Sequence, residues 1–161
     1  MEKQTTEGGD KGQLVTFRLG HETYGIEIFK IQEVLHYQEV TAIPDAPEFV
    51  EGVIRVRDRI IPVVDLRKRF GIKDGQDAKK RIVVLDLERP LGVVVDDISR
   101  VLKLGPEDYE ALPETVVGEH ERRCIARVAK TDTELVIIIT PEWILSSREN
   151  EALGKMGRID E

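Results

Sequence analysis

The sequence predicts an all-β fold made of two similar small units with short helices, and three observations carry the prediction. Short runs rich in Val, Ile and Tyr recur along the chain, separated by Gly, Pro and Asp clusters. Residues 49–70, FVEGVIRVRDRIIPVVDLRKRF, read as two β runs around a charged tip, followed by a short helix. The chain also partly repeats itself when displaced by 67 residues: Gly25 falls on Gly92, Ile26 on Val93, Ile28 on Val95, Ile31 on Ile98, Val34 on Val101 and Leu35 on Leu102. Upstream the same offset, without a gap, sets Val15 on Ile82 and Phe17 on Val84. The ends correspond too, because Ile60 to Phe70 and Leu135 to Leu145 both read as strand then helix.

Residues 1–12, MEKQTTEGGDKG, have almost nothing to bury and read as a disordered tail. Leu14 to Leu19 is a strand. After a turn, Tyr24 to Ile28 is its partner, with Tyr24, Ile26 and Ile28 on one face. Ile28, Ile31, Val34 and Leu35 fit a helical turn or a twisted strand equally well. Ile43 to Pro47 is a stiff connector, because residues before proline avoid the helical region. The hairpin comes next. Asp58 suits its tip, and Pro62, lacking an N–H, places its strand at an edge or a bulge.

Leu66 to Phe70 is a short helix stopped by Gly71, and 72–80 is a polar loop. Ile82 to Leu87 and Leu91 to Asp96 are nearly continuous apolar runs, as expected of strands covered on both faces. Residues 105–121 are acidic and irregular. Ile125 to Val128 and Leu135 to Ile139 form a last hairpin, and Pro141 opens a short helix. Trp143 is expected to anchor that helix, and Ser146 with Glu149 spells a capping box ahead of a frayed helical tail. The expected organisation is one domain over 13–147, with subdomains at about 15–70 and 82–140 intertwined at their ends, and a partly helical tail over 148–161. Two units of about five strands each are small, so curling and mutual packing are needed to remove edges and bury surface.

The composition narrows the function. Among 161 residues, 31 are Asp or Glu and 24 are Lys or Arg, a net charge of −7 that disfavours binding to a phosphate backbone. Aromatic residues make up 5%, which is poor for stacking on bases. No apolar run approaches membrane-spanning length, and the first residues lack the apolar centre of a secretory signal. The single Cys124 excludes an internal disulfide and lies in an apparent strand, which favours a buried structural thiol.

His21, His36 and His120 sit in unlike contexts without a second ligand at metal spacing. There is no nucleophile elbow or phosphate-cradling glycine loop. Asp65, Asp86, Asp96 and Asp97 end strands and read as turn and capping residues. The sequence therefore points away from an enzyme, with no cofactor and no metal, and towards a protein-binding surface. A β-barrel that binds a small ligand or nucleic acid is the alternative of a different class.

The hairpin stretch also carries a resemblance. It is similar to the signature of the CheW family of chemotaxis coupling proteins, roughly F-V-x-G-V-I-N-L-R-G-x-I-I-P-V-V-D-L-R. The shared positions are Phe49, Val50, Gly52, Val53, Ile54, Arg57 and the run Ile60 to Arg67. Glu33 in Ile31-Gln32-Glu33-Val34 matches the family's V-x-E-V/I pattern. The resemblance covers about 13–147 and implies two five-stranded SH3-like barrels joined through a hydrophobic core.

The resemblance further implies a non-enzymatic cytoplasmic adaptor within membrane-anchored receptor arrays, not itself inserted into the membrane. It would link the cytoplasmic tips of methyl-accepting chemoreceptors to the regulatory domain of a CheA-type histidine kinase, with weak self-association permitted. Glu33 and Arg57 are expected to pair across the first barrel and shape a binding face. Ile31, Val34, Val101 and Leu102 are candidates to line a groove between the repeats, and Gly52, Arg55 and Asp58 complete the candidate set.

The departures from the family pattern matter. Arg55 stands for Asn, Asp58 for a tip Gly, and Thr140 for an Asp before the final helix. The first two lie at the tip and bear on partner identity, which makes a specialised paralogue of another chemosensory pathway the alternative within the family.

Overall fold

The computed structural model describes residues 12–75, 79–112, 124–125, 127–146 and 148–153. Among the described residues eleven strands run in chain order. They are β1 (Gln13–Leu19), β2 (Glu22–Glu27), β3 (Ile31–His36), β4 (Val50–Val56), β5 (Arg59–Asp65), β6 (Arg81–Leu85), β7 (Leu91–Val95), β8 (Asp97–Lys103), β9 (Tyr109–Ala111), β10 (Arg127–Lys130) and β11 (Leu135–Ile138). Helix α1 (Leu66–Phe70) follows β5, and among the described residues 3-10 turns cover Ile28–Lys30, Pro106–Asp108 and Pro141–Trp143. The ambiguous stretch after Ile28 is thus a 3-10 turn and then a strand.

The strands form two mixed sheets. One has the order β9-β10-β11-β2-β1-β8, the other β3-β6-β7-β5-β4. Sequence order suggested units near 15–70 and 82–140 with intertwined ends, and the exchange reaches further than the ends. Strand β3 leaves the hairpin β1–β2 to pair with β6, while β8 leaves β6–β7 to pair with β1.

The duplication is written into the registers. Parallel pairing sets Ile138 beside Gly25 in one sheet and Val63 beside Gly92 in the other. Strands β3 and β8 carry a bulge at matching positions, skipping Gln32 and Ser99. The ungapped alignment of Val15 with Ile82 and Phe17 with Val84 is corrected, however. Phe17 pairs with Tyr24 and Ile98, and Leu85 pairs with Leu91 and Ile31, so Phe17 corresponds to Leu85 at an offset of 68. The stretch between the paired residues is one residue shorter after β6, 86–90 between Leu85 and Leu91 against 18–23 between Phe17 and Tyr24. A one-residue slip turns every side chain to the other face, which is why the ungapped match placed core residues on the wrong side.

Both sheets curl. Edge strands β8 and β9 are joined by only 104–108, partly a 3-10 turn. Six residue steps reach roughly 20 Å at full extension, whereas the edges of a flat six-stranded sheet lie about 24 Å apart. In the other sheet the chain beyond β3 returns to the far edge. Thr41 and Val53 exchange both backbone hydrogen bonds, at 3.0 and 2.9 Å.

Each curled sheet encloses its own apolar cluster. Ile54, Ile61, Val63, Ile82, Val84 and Val94 fill the five-stranded sheet, and Leu14, Ala129, Val136 and Ile138 fill the six-stranded one. A third and larger cluster joins them. Phe17, Leu19, Tyr24 and Ile26 meet Val64, Val83, Leu85, Leu91, Val93 and Val95, with Cys124, Ile139, Ile144, Leu145 and Leu153. Phe17, Tyr24 and Phe70 stack in sequence at 6.4 and 6.1 Å between centroids.

Several local expectations are corrected. Pro62 lies on an inner strand, but the parallel partner β7 pairs only from Val63 onward, so no ladder donor is lost at Pro62 on that side. Trp143 is exposed, and its neighbours Ile144 and Leu145 enter the core instead. The tail is firmer than its composition suggested. Ser146 N donates to Glu149 Oε1 at 2.7 Å and Glu149 N donates to Ser146 Oγ at 3.1 Å, heading a helix over 148–153 that buries Leu153. His120 and the tail beyond residue 153 lie outside the described residues, as do residues 1–11.

Candidate partner-binding face

The face is built on the hairpin β4–β5. Its tip is a two-residue turn in which Arg57 and Asp58 both take positive φ, 50° and 70°. Such a turn matches the twist of the strands but favours glycine, and Asp is among the few other residues that tolerate it. The substitution of Asp for the family's Gly at position 58 therefore keeps the turn.

Arg57 is held there from across the sheet. Its Nη1 donates to Glu33 Oε2 at 2.7 Å and its Nη2 to Glu33 Oε1 at 3.1 Å, a bidentate fork. Glu33 is positioned by the bulge at Gln32, which turns it inward opposite Val84, at the end of the apolar interior. The arginine side chain is 72% exposed and the glutamate 19%, so the pair presents a guanidinium to solvent.

Gly52 serves the shape of this face. Its φ is +144°, and a Cβ placed on it would lie 1.9 Å from Thr41 O. Only glycine permits the Thr41–Val53 closure beside the hairpin. Arg55 is exposed on β4, opposite Ile60.

The proposed groove residues divide. Val34 on β3 and Val101 on β8 are exposed, whereas Ile31 packs against the joining core and Leu102 against the interior of the six-stranded sheet. They sit on the edge strands of different sheets.

At the base of α1, Asp65 caps the helix, its Oδ1 accepting from Arg67 N at 2.9 Å. Burial raises its carboxyl above the usual range, with Glu51 adding to the rise, although the helix-end amides and Arg67 pull the other way. Arg67 Nε meets buried Asp96 Oδ1 at 3.1 Å, and Asp96 Oδ2 accepts from Gly20 N at 2.8 Å. Sequence reading treated Asp65 and Asp96 as capping and turn residues but missed the Arg67–Asp96 tie, because no spacing rule links residues so far apart.

Among the described residues no group of three or more His, Cys, Asp and Glu could hold a metal ion. Cys124 is buried, with its Sγ 3.7 Å from Thr140 O. No described helix is long and apolar enough to cross a membrane.

Two curled sheets sharing one core and carrying an ordered charged tip define a double-barrelled β module. The comparisons with known proteins agree. Residues 13–149 match the CheW-like domain family. The chain is 35% identical over 150 residues to the chemotaxis protein CheW of Treponema pallidum, covering 89% of this chain and 88% of that protein. It is 34% identical over 142 residues to CheW of Klebsiella aerogenes, covering 85% and 83%. The crystal structure of the scaffolding protein TtCheW from Thermoanaerobacter tengcongensis superposes with a TM-score of 0.74 at 38% identity, covering 80% of this chain and 88% of that one. The chain belongs to the CheW family: it is a non-enzymatic chemotaxis scaffold of the kind that couples receptors to CheA kinases.

Proposed function

We propose that this chain seats the cytoplasmic tip of a methyl-accepting chemoreceptor and the regulatory domain of a CheA-type kinase on one rigid body, in the cytoplasm at membrane-anchored arrays. The observation that carries this is the Glu33–Arg57 fork, which joins two family-motif segments 24 residues apart and orders an outward guanidinium. Arg55 and Asp58 flank Arg57 in the chain, Gly52 sets the closure of the same strand, and the edge strands supply exposed Val34 and Val101, with Ile31 and Leu102 partly buried on the same strands. The function is geometric. Receptor state reaches the kinase because the body between them does not deform, and the buried apolar cluster shared by the two sheets supplies that stiffness.

The test is capture of purified kinase regulatory domain and receptor cytoplasmic fragment by the wild type and by Arg57→Ala. Capture of both, weakened by the substitution, is the expected result. Capture of neither contradicts the proposal.

Arg55 and Asp58, both exposed at the tip, favour a second reading in which the face is tuned to one receptor or kinase of a particular pathway. Arg55→Asn with Asp58→Gly then shifts preference among the organism's receptors and kinases. Unchanged affinities for all of them exclude tuning at this tip.

A further inference from the structure

The duplication places a second ion pair where the first one stands. Arg100 on β8 corresponds to Glu33 on β3 at the offset of 67, and each follows the bulged residue of its strand. Arg100 is opposite Thr16, at the end of the six-stranded sheet's interior, as Glu33 is opposite Val84 in the other sheet. Its partner also comes from a hairpin tip. Arg100 Nη2 donates to Glu134 Oε2 at 2.8 Å, and Glu134 lies in the turn between β10 and β11, the counterpart of the turn that carries Arg57. The charges have changed places: in one sheet the strand supplies the acid and the tip the base, in the other the reverse.

What stays the same is the group shown to solvent. Arg57 and Glu33 are 72% and 19% exposed, and Arg100 and Glu134 are 51% and 30% exposed. In both pairs the arginine faces outward on a more buried carboxylate.

The second pair is also held on every side. Glu134 Oε1 accepts from Thr23 Oγ1 at 2.9 Å, and Glu134 N donates to Thr131 Oγ1 at 3.1 Å. Arg100 N donates to Thr16 Oγ1 at 3.2 Å, and the same hydroxyl donates to Arg100 O at 2.8 Å. Beneath the pair Thr16 and Thr23 are buried. An exposed ion pair adds little to stability, and its value lies in fixing a planar fork of donors that recognises carboxylates.

We infer that Arg100 is a second docking point, equivalent to Arg57, that recognises a carboxylate on an acidic helix of the partner protein. Two like points on a duplicated chain suit a partner that offers the same element twice, which a helical hairpin or its dimer does. This rests on the adaptor reading and names a further contact of the same receptor element.

The experiment measures affinity of the full chain for a purified receptor cytoplasmic hairpin fragment. The variants are Arg100→Ala, Arg100→Lys, Arg57→Ala and the double Ala variant, with urea midpoints confirming that each is folded. Arg100→Ala is expected to weaken binding about tenfold and to flatten its salt dependence, because a rim charge acts through screened attraction. Arg100→Lys recovers part of the loss, and the double variant shows the product of the single effects. A folded Arg100→Ala that binds within about twofold of wild type overturns the inference and leaves the adaptor reading standing. A wild type that does not bind the fragment overturns both.

Discussion

The two halves descend from one pattern and finish it differently at the same place. After β5, Asp65 caps a five-residue α-helix that ends at Gly71 in the left-handed conformation. After β11, Thr140 stands in the position of Asp65, makes no side-chain cap, and is followed by only a 3-10 turn. Behind α1 a buried ion pair, Arg67–Asp96, ties the first half to the strand junction of the second. Behind the later turn the tie is Lys30–Glu142, at 3.1 Å and more exposed. The six-stranded sheet closes through a three-residue strand, β9, whereas the five-stranded one closes through the Thr41–Val53 bridge. The half that carries the family motif is thus fastened by a side-chain-capped helix and a more buried ion pair.

The comparison can be broken at those links. Gly52→Ala is expected to have the largest effect, because a Cβ 1.9 Å from Thr41 O must open the bridge and φ of +144° must be strained. A loss of about 3 kcal/mol or more is expected in urea unfolding. Gly71→Ala is the control, since φ is +72° but nothing lies within 4 Å of its Cβ, and about 1–2 kcal/mol is expected. Equal losses at both sites would show that the close approach is unimportant.

Next come the two ties. Arg67→Ala leaves Asp96 buried without its cation and should cost about 3 kcal/mol. Lys30→Ala, at the exposed tie, should cost at most about 1 kcal/mol. Similar costs would dissolve the distinction between the halves.

The cap gives a pH test. Because burial raises the pKa of Asp65, the folded state holds this proton more tightly than the unfolded state. That favours folding in acid and is lost as pH rises from about 4 through the raised value. Asp65→Asn keeps a capping acceptor and removes this dependence, so its stability relative to wild type should rise between pH 4 and pH 7. Asp65→Ala should lose about 1 kcal/mol at pH 7 with the cap. A ratio of Asn variant to wild type that does not change with pH would contradict this.

The smallest effect is expected at the Glu33–Arg57 fork. Its coupling in a double-mutant cycle on stability should be at most about 1 kcal/mol, since Arg57 is mostly exposed. A coupling several times larger would make the fork a structural clamp.

The sequence made some of this legible and hid the rest for identifiable reasons. Alternation and turn chemistry placed the hairpin β4–β5, and Gly71 marked the end of α1. The repeated Ile-x-x-Val-Leu spacing exposed the duplication because it survives in β3 and β8. The exchange of β3 and β8 was not legible, since alternation says which face is buried but not which strand lies alongside. The slip in β1 escaped because Val15 and Phe17 are as apolar as the residues they were set against. At the site, opposite charges on two motif segments made Glu33 and Arg57 a readable pair. Arg100 and Glu134 carried no motif, and their equivalence to that pair emerges only from the registers. Trp143 misled because its size suggested burial, while Ile144 and Leu145 fill the space.

The proposed function requires this chain to join two partners on one body. Size-exclusion chromatography with mass measurement, on a mixture of the kinase regulatory domain, the receptor cytoplasmic fragment and this chain, tests it directly. A species containing all three is expected, depleted when Arg57→Ala replaces the wild type. Two separate binary species, with each partner displacing the other, would contradict it.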